Sequence, residues 1–557
     1  MPTQYVKLLS HPLLSKIRPF VPAVLAICAV IGGRFLVDTQ WNMPRVGFSV
    51  LLYFFFAAFL QRWAAVAATL ALEGLLLNIS YIKEIATSEP LLGADLFEVG
   101  QGMAMTGYMN WQIWAYTLIT ISAIGYGLWR RPPLSKTRLS LALVLCILLS
   151  MQLDRTGKLS AYAKPVMHQY LGSKYSNYNF RVNAKDNGIL GHLILTIETA
   201  HKPKSGPHTF YSRQLAAQDA PTSPDIVVVM CESCYSDPRL ITQMAQLSQA
   251  GFSEARVISP VYGGGTAEAE FEALTGLSAY MLPGIDFQNF AGQFADKMSA
   301  LPNSLADVGY LTTGMHNYFS TFWKRKQVYP KLGFSQTQFV EKMQWDKKAG
   351  WPKDQTLYSN ALARYQAAPA GQKQFMFLVT VMTHGPYIEE QDSGLSQYQA
   401  RLTEAIDAFS VFAKQLEASA KQRKRDVVIV IFGDHKPGLN QEFLDRGIFD
   451  PQFFSPSKNG RLEFKSILSQ QQNKVRGDVP LYIKDSRQPA QAQQLAEQLQ
   501  GRPLFCLPAQ LARLSTSQDP FYAAVAERCA ANTAFYQPGL WWRNVFPEAL
   551  YAERLFD

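Results

Sequence analysis

For roughly the first 155 residues the chain runs in long apolar blocks separated by short polar turns; from Asp225 onward it alternates short β-rich apolar runs with amphipathic stretches. The first pattern predicts five membrane helices, near residues 20–37, 46–60, 63–81, 109–129 and 139–153, several of them shorter than the ~20 residues that cross a hydrocarbon core. The second predicts strands at DIVVVM (225–230), EARVISPVY (254–262), GYLTTGM (309–315), FMFLVTV (375–381) and DVVIVIF (426–432), with helices such as LTEAIDAFSVFAKQLEASAK (402–421) between them. Near-continuous hydrophobic strands between amphipathic helices make a mainly parallel sheet covered on both faces, so the expected fold is an α-helical transmembrane domain plus an α/β domain. The membrane domain is expected over 1–153 and the α/β domain over 223–557. Between them, 154–222 reads as an interfacial connector, first basic and aromatic (KYSNYNFR), then broken by Gly, Pro and Ser (HKPKSGPH, DAPTSPD).

Basic residues next to membrane spans stay mostly cytoplasmic. Lys7, Lys16 and Arg18 precede the first span, Arg62 lies between the second and third, and Arg130, Arg131, Lys136 and Arg138 lie between the fourth and fifth. The 82–108 loop instead sets Glu84, Glu89, Asp95 and Glu98 against Lys83. Five spans from a cytoplasmic start place everything after Gln152 outside, and the first span lacks the small-residue cleavage site of a signal peptide. A formal net charge of +10 does not point to nucleic acid, because no Lys/Arg cluster with stacking aromatics accompanies it; a basic ectodomain beside anionic lipid accounts for it. Cys28 and Cys146 fall in spans, where packing is their expected role. Cys506 and Cys529, both exported, suit a disulfide. Cys231 and Cys234 form a CxxC with no second pair at zinc-ribbon spacing, and either pair with each other or simply pack.

Each of the five strands is followed at once by a reactive residue. Glu232 follows the first, GGGT with Thr266 the second, His316 the third, His384 in THGPY the fourth, and Asp434 and His435 in FGDHKPG the fifth. Singly, each has an ordinary structural reading. Glu232 is then a helix-start carboxylate, Asp434 and His435 a turn pair, His316 and His384 satisfied core histidines, and Trp323 a packing residue. Thr266 is then the cap of a helix opened by glycines, since GGGT lacks the Lys of a nucleotide-binding loop. Together they gather where ligands of such sheets bind, beyond the carboxyl ends of the strands. Glu232, Asp434, His435 and Thr266 offer three oxygen ligands and one nitrogen, a set suited to Mn²⁺, with Zn²⁺ and Mg²⁺ as other candidates. A metal-held threonine hydroxyl has a lowered pKa and can attack phosphorus. A helix start at Thr266 favours an incoming phosphate, and His384 could give or take the proton of an alcohol.

MCES around Glu232, GGGTAEAEFE, HNYFSTFWKRKQVYPKLGF (316–334), THGPY and FGDH occur in the order seen in the lipoteichoic acid synthase family. On these motifs the chain resembles, over nearly its whole length, that family of membrane phosphoglycerol transferases within the alkaline phosphatase and sulfatase superfamily. The resemblance implies Glu232, Thr266, Asp434 and His435 as metal ligands, with Thr266 also the nucleophile. It implies His316, Trp323 and Arg325 as binders of the phosphoglycerol head and His384 as a further substrate-site residue. The implied activity is transfer of phosphoglycerol from phosphatidylglycerol to an exported glycan or lipid through a phosphothreonine-type intermediate, releasing diacylglycerol, on the outer side of a bacterial cytoplasmic (inner) membrane.

The chain departs from the family in two places. Cys231 stands where members usually carry an apolar residue, and residues 506–557, with WWRNVFPEALY, have no counterpart. An exported cysteine pair fits a Gram-negative periplasm better than a low-GC Gram-positive wall, so the acceptor is not expected to be lipoteichoic acid; similar enzymes decorate periplasmic glucans or other surface glycans. Phosphoethanolamine transfer from phosphatidylethanolamine, with the same fold and a threonine nucleophile, is the alternative; a non-catalytic lipid-binding scaffold is weaker, because all four ligand residues are intact. A sulfatase is disfavoured, since Thr266 stands where its Cys or Ser would and Cys506 in CLPAQ lacks the Arg of CxPxR. A two-metal phosphatase would need more Asp and His than the chain shows.

Overall fold

The computed structural model describes residues 21–37, 42–87, 90–97, 110–130, 136–152, 160–174, 180–197, 203, 205–208, 210, 223–279, 287, 290–346, 351–385, 387, 394–455, 462–465, 468–515, 517, 519–531 and 546–556. Lys7, Lys16, Arg18, Glu89, Glu98 and Arg131, the middle of KYSNYNFR, most of DAPTSPD and the WWRNV of the C-terminal motif lie outside them. The chain forms two compact units, one of residues 1–84 and 89–201, the other of 85–88 and 202–557.

The first unit is helical: α1 (Val21–Val37), α2 (Met43–Phe59), α3 (Arg62–Thr87), α4 (Trp111–Trp129), α5 (Lys136–Gln152), α6 (Ser160–Leu171) and α7 (Phe180–Thr196). All five apolar segments are therefore helices. One of them, Arg62–Glu84, is both long and apolar enough to cross a membrane, while Val21–Val37, Met43–Phe59 and Ala142–Met151 are apolar but shorter. Small side chains let the helices approach: Ala26, Ala57, Ala65 and Ala68 bury against Val30, Tyr53 and Leu60. Arg34 of α1 meets Glu73 of α3 at 3.0 Å, and Ser49 of α2 donates to the other carboxylate oxygen at 2.7 Å, so these two buried charges are paired. The segment read as an interfacial connector contains α6 and α7, with Pro165 inside α6 and Gly188, at φ 69°, kinking α7. Cys28 and Cys146 are exposed, not packed as expected.

The second unit is built on an eight-stranded sheet in the order β10-β2-β9-β6-β1-β5-β3-β4. Its strands are β1 (Asp225–Cys231), β2 (Ser253–Ile258), β3 (Tyr310–His316), β4 (Gln336–Phe339), β5 (Lys373–Val379), β6 (Val427–Gly433), β9 (Asp478–Asp485) and β10 (Arg502–Pro503), with β7 (Phe454–Ser455) and β8 (Glu463–Phe464) as a separate ribbon. All five predicted strands are present within a few residues. β1 and β6 are buried along their whole length, as parallel strands covered on both faces are. β9 is antiparallel to β2 and to β6; the remaining neighbours are parallel. Two antiparallel steps restore direction, so β2 points the same way as β6, β1, β5 and β3. All five carboxyl ends therefore open on one edge.

Both cysteine pairs of this unit are disulfides, Cys231–Cys234 and Cys506–Cys529. The C-terminal stretch packs into this unit: Phe546 stacks on Phe210 at 5.6 Å and meets Phe505 edge-on, and the Tyr551 hydroxyl donates to the Ser278 carbonyl at 2.9 Å.

Candidate active site

The site forms because sheet register places the strand ends side by side. Cys231 of β1 lies opposite Gly433 of β6, so the next residues, Glu232 and Asp434, emerge as neighbours. Gly433 cannot carry a side chain, because a Cβ there would run into the Cys234 carbonyl. The CxxC turn and the GDH turn are thus stacked backbone against backbone. Ser233 takes a positive φ of 51° within that turn, a conformation uncommon for a residue with a Cβ. It is held there by three bonds: its N–H donates to Asp434 Oδ1 at 2.7 Å, its hydroxyl donates to Glu232 Oε1 at 2.8 Å, and its carbonyl accepts the Tyr398 hydroxyl at 2.8 Å. Thr380 fixes the same corner by accepting the Glu232 N–H at 3.0 Å, and the Thr383 hydroxyl donates to the Glu232 carbonyl.

After β2 the chain passes through the three glycines into α8 (Thr266–Thr275). The cap position is Gly265, at φ 82°, where a Cβ would also press on Val261. Thr266 is the first helical residue, and its hydroxyl donates to Glu232 Oε2 at 3.1 Å. The capping reading of Thr266 is therefore replaced: its side chain faces the carboxylate, not its own helix.

Glu232, Asp434 and His435 each present a ligand atom within 4.8 Å of the others, all buried. His435 Nε2 is 3.3 Å from Asp434 Oδ2 and 3.5 Å from Glu232 Oε1. Yet Asp434 Oδ2 and His435 Nε2 have no hydrogen-bond partner among the described residues. His435 Nδ1 lies 2.9 Å from the Lys436 carbonyl, which assigns the proton to Nδ1 and leaves a lone pair on Nε2. Two buried carboxylates and an imidazole converging with ligand atoms that no hydrogen bond satisfies are what a divalent cation needs, and the residues fit one. Electrostatics agree. Burial, then repulsion from Glu232, pushes Asp434 up to about 7. Burial also pushes Glu232 up, but His384, His435 and the hydroxyls of Ser233 and Thr266 together outweigh it and hold Glu232 below its usual range.

His384, after β5, packs against Trp351 with ring centroids 4.7 Å apart and the planes tilted by 48°, and Arg401 donates to its carbonyl at 2.6 Å. His316 is buried and approaches the Val379 carbonyl through Nδ1 at 2.9 Å; burial, then the Arg325 charge, keeps its pKa well below the usual value, so it is neutral. Trp323 is buried against Phe322, and Trp323 and Lys324 have positive φ (54° and 50°). This tight turn feeds α9 (Arg325–Leu332), whose first residue is 1% exposed and paired with Glu270 of α8. Reading the sequence missed Ser233, Thr380, Thr383, Glu270 and Trp351. Glu270 was the recoverable one, standing one helical turn from Thr266 in GGGTAEAEFE.

An eight-stranded, mainly parallel α/β domain with a threonine at a helix start beside a buried Glu, Asp and His is of the alkaline phosphatase and sulfatase type. Residues 224–503, half of the chain, match the sulfatase family, and the chain belongs to it. A curated relative, the putative cyclic beta-1,2-glucan modification protein of Rhizobium meliloti (strain 1021), is 32% identical over 247 residues, 40% of this chain and 37% of that protein's length. Among solved structures the chain is similar to the phosphoglycerol transferase GacH of Streptococcus pyogenes in complex with sn-glycerol-1-phosphate (18% identity, 61% of this chain and 88% of that one, TM-score 0.43). It is also similar to the lipooligosaccharide phosphoethanolamine transferase A of Neisseria meningitidis (13% identity, 84% and 94%, TM-score 0.44).

Proposed function

We propose that the protein transfers phosphoglycerol from phosphatidylglycerol to a hydroxyl of an exported glycan, with Thr266 as the covalent carrier. The observation that carries the reading is the Thr266 hydroxyl donating at 3.1 Å into a buried Glu232–Asp434–His435 cluster in which two ligand atoms have no partner. Glu232, Asp434, His435 and Thr266 would hold a divalent metal, Mn²⁺ first, which when bound lowers the pKa of the threonine hydroxyl. Thr266 Oγ, its proton given up to solvent, then forms a bond to phosphorus as the bond from phosphorus to the diacylglycerol oxygen breaks, and that oxygen leaves with a proton. His384, placed beside the site on Trp351, supplies this proton and takes one from the acceptor hydroxyl in the second transfer. The acceptor oxygen attacks phosphothreonine, the bond from phosphorus to Thr266 Oγ breaks, Thr266 takes a proton back from solvent, and glycerol phosphate ends on the acceptor. Neutral His316, with Trp323 and Arg325, binds the head group. A glycan acceptor agrees with the relative named for glucan modification. The domain keeps the sulfatase-family fold with a threonine in place of a sulfatase's catalytic Cys or Ser.

The five apolar helices anchor the α/β domain on the outer face of the cytoplasmic membrane, where the donor head group is presented. The test uses the full-length protein reconstituted with Mn²⁺ in vesicles carrying head-group-labelled phosphatidylglycerol or phosphatidylethanolamine. Diacylglycerol release and label on the protein are expected from phosphatidylglycerol. Turnover of phosphatidylethanolamine alone would replace this reading with phosphoethanolamine transfer, and no turnover of either would leave a lipid-binding scaffold.

A further inference from the structure

Arg325 and Glu270 form a fully buried ion pair, with Arg325 Nε 2.9 Å and Nη2 2.8 Å from the same carboxylate oxygen, Oε2. Glu270 lies four residues after Thr266 on α8, hence on the same helical face one turn along. Arg325 arrives by the turn in which Trp323 and Lys324 both take positive φ. Two such residues in succession persist only where surrounding contacts hold them. Two edges of the guanidinium are spent on Glu270. The third, Nη1, is buried and without a hydrogen-bond partner among the described residues, as are Glu270 Oε1 and the Tyr329 hydroxyl beside it. Arg325 is also near enough to act electrostatically on His316 and Glu232, so it belongs to the same site as the metal cluster.

A buried guanidinium N–H with no acceptor is costly unless something supplies one. An anionic phosphoryl oxygen at this site is that acceptor. We propose that Glu270 is a positioning residue: from the nucleophile's own helix it clamps Arg325 by Nε and Nη2, leaving Nη1 to meet the phosphoryl group, so that attacking oxygen and anion donor are held by one rigid element. The proposal rests on the reading of Thr266 as the group that takes the phosphoryl. Glu270 itself never touches substrate.

The test compares wild type, Glu270→Gln, Arg325→Met and the double variant as full-length, Mn²⁺-loaded protein in detergent. Calorimetric binding of inorganic phosphate and of glycerol phosphate is measured together with melting temperature and the KM and kcat for phosphatidylglycerol cleavage. Glu270→Gln keeps the shape and an acceptor oxygen for Nε and Nη2 but drops the charge that fixes the guanidinium. Phosphate binding should weaken about tenfold, the equivalent of a misplaced charge-assisted hydrogen bond. KM should rise with it, and kcat should change less. In the Arg325→Met background the same substitution should cost nothing further, since Glu270 acts only through Arg325. Glu270→Asp, which retains the charge on a shorter arm, should recover part of the loss and gives an independent reading if the Gln variant melts early. Phosphate affinity within twofold of wild type in Glu270→Gln, an undiminished loss in the Arg325→Met background, or no phosphate binding by wild type would each overturn the proposal. Coupled phosphate binding without any phosphatidylglycerol cleavage would uphold it and overturn the donor reading instead.

Discussion

The Thr266 hydroxyl donates to Glu232 Oε2 at 3.1 Å, and so joins the end of β2 to the end of β1 across two intervening strands. If this oxygen is the carrier, Thr266→Ala removes the covalent step altogether. Turnover should fall by roughly 10⁴-fold or more, the scale seen when a nucleophile is deleted, with melting temperature nearly unchanged. Thr266→Ser should retain measurable activity. Mass spectrometry of a quenched reaction should find a glycerol phosphate adduct on residue 266 in wild type and none in the Ala variant; turnover surviving in Thr266→Ala would rule out the covalent route.

The partnerless pair Asp434 Oδ2 and His435 Nε2 makes a prediction about metal content. Asp434→Ala and His435→Ala should each lower bound Mn²⁺ below one equivalent by elemental analysis. Chelation should lower the melting temperature of wild type and leave that of the variants unmoved, because a ligand that binds only the folded state stabilises it. An equal shift in all three would place the metal elsewhere.

The Cys231–Cys234 bond encloses Glu232 and Ser233 in one ring. Replacing both cysteines by Ala should leave the sheet intact yet loosen the turn that holds the ligand. Mn²⁺ affinity should drop by roughly ten- to a hundredfold, the range for partners that orient a metal ligand. Titration of Mn²⁺ into wild type and variant decides it, and equal affinities would reduce the bond to packing.

Glu272, on α8, accepts N–H groups from Ala279 at 2.9 Å and Phe505 at 3.2 Å. Burial nevertheless pushes its pKa from 4.5 up to about 8, so the native state keeps a proton that the unfolded chain releases. Its contribution is fully present below the unfolded value and is lost as pH rises toward the folded one. Stability should therefore fall by about 1.4 kcal/mol per pH unit between these limits. Glu272→Gln should flatten this slope in chemical denaturation at pH 5, 6.5 and 8; an unchanged slope would assign the pH dependence to other groups.

The parts legible in the sequence were those that physics writes locally. Continuous apolar runs bounded by a reactive residue gave β1, β2, β3, β5 and β6 and the residues at their ends. β9 was missed because Pro480 interrupts DVPLYIKD and no reactive residue follows it; β4 was missed because four residues carry no periodicity. Membrane crossing is legible only in part. One helix passes on length and apolarity, and α4, for all its apolar character, is studded with Trp, Tyr and Thr. Ser233, Thr380 and Thr383 were invisible because their role lies in bonds between chain segments up to 201 residues apart.

Strand order also dictates when the site can exist. β2, which delivers Thr266, has as its sheet neighbours only β9 and β10, both near the end of the chain. During synthesis the strand that leads to Thr266 therefore waits, its backbone donors and acceptors unsatisfied, until residues 478–485 have been made. Glu232, Asp434 and His435 all emerge earlier. A nascent chain halted before β9 would hold Glu232, Thr266, Asp434 and His435 but not the strand that joins them, so the candidate site is assembled only once residues 478–485 are in place.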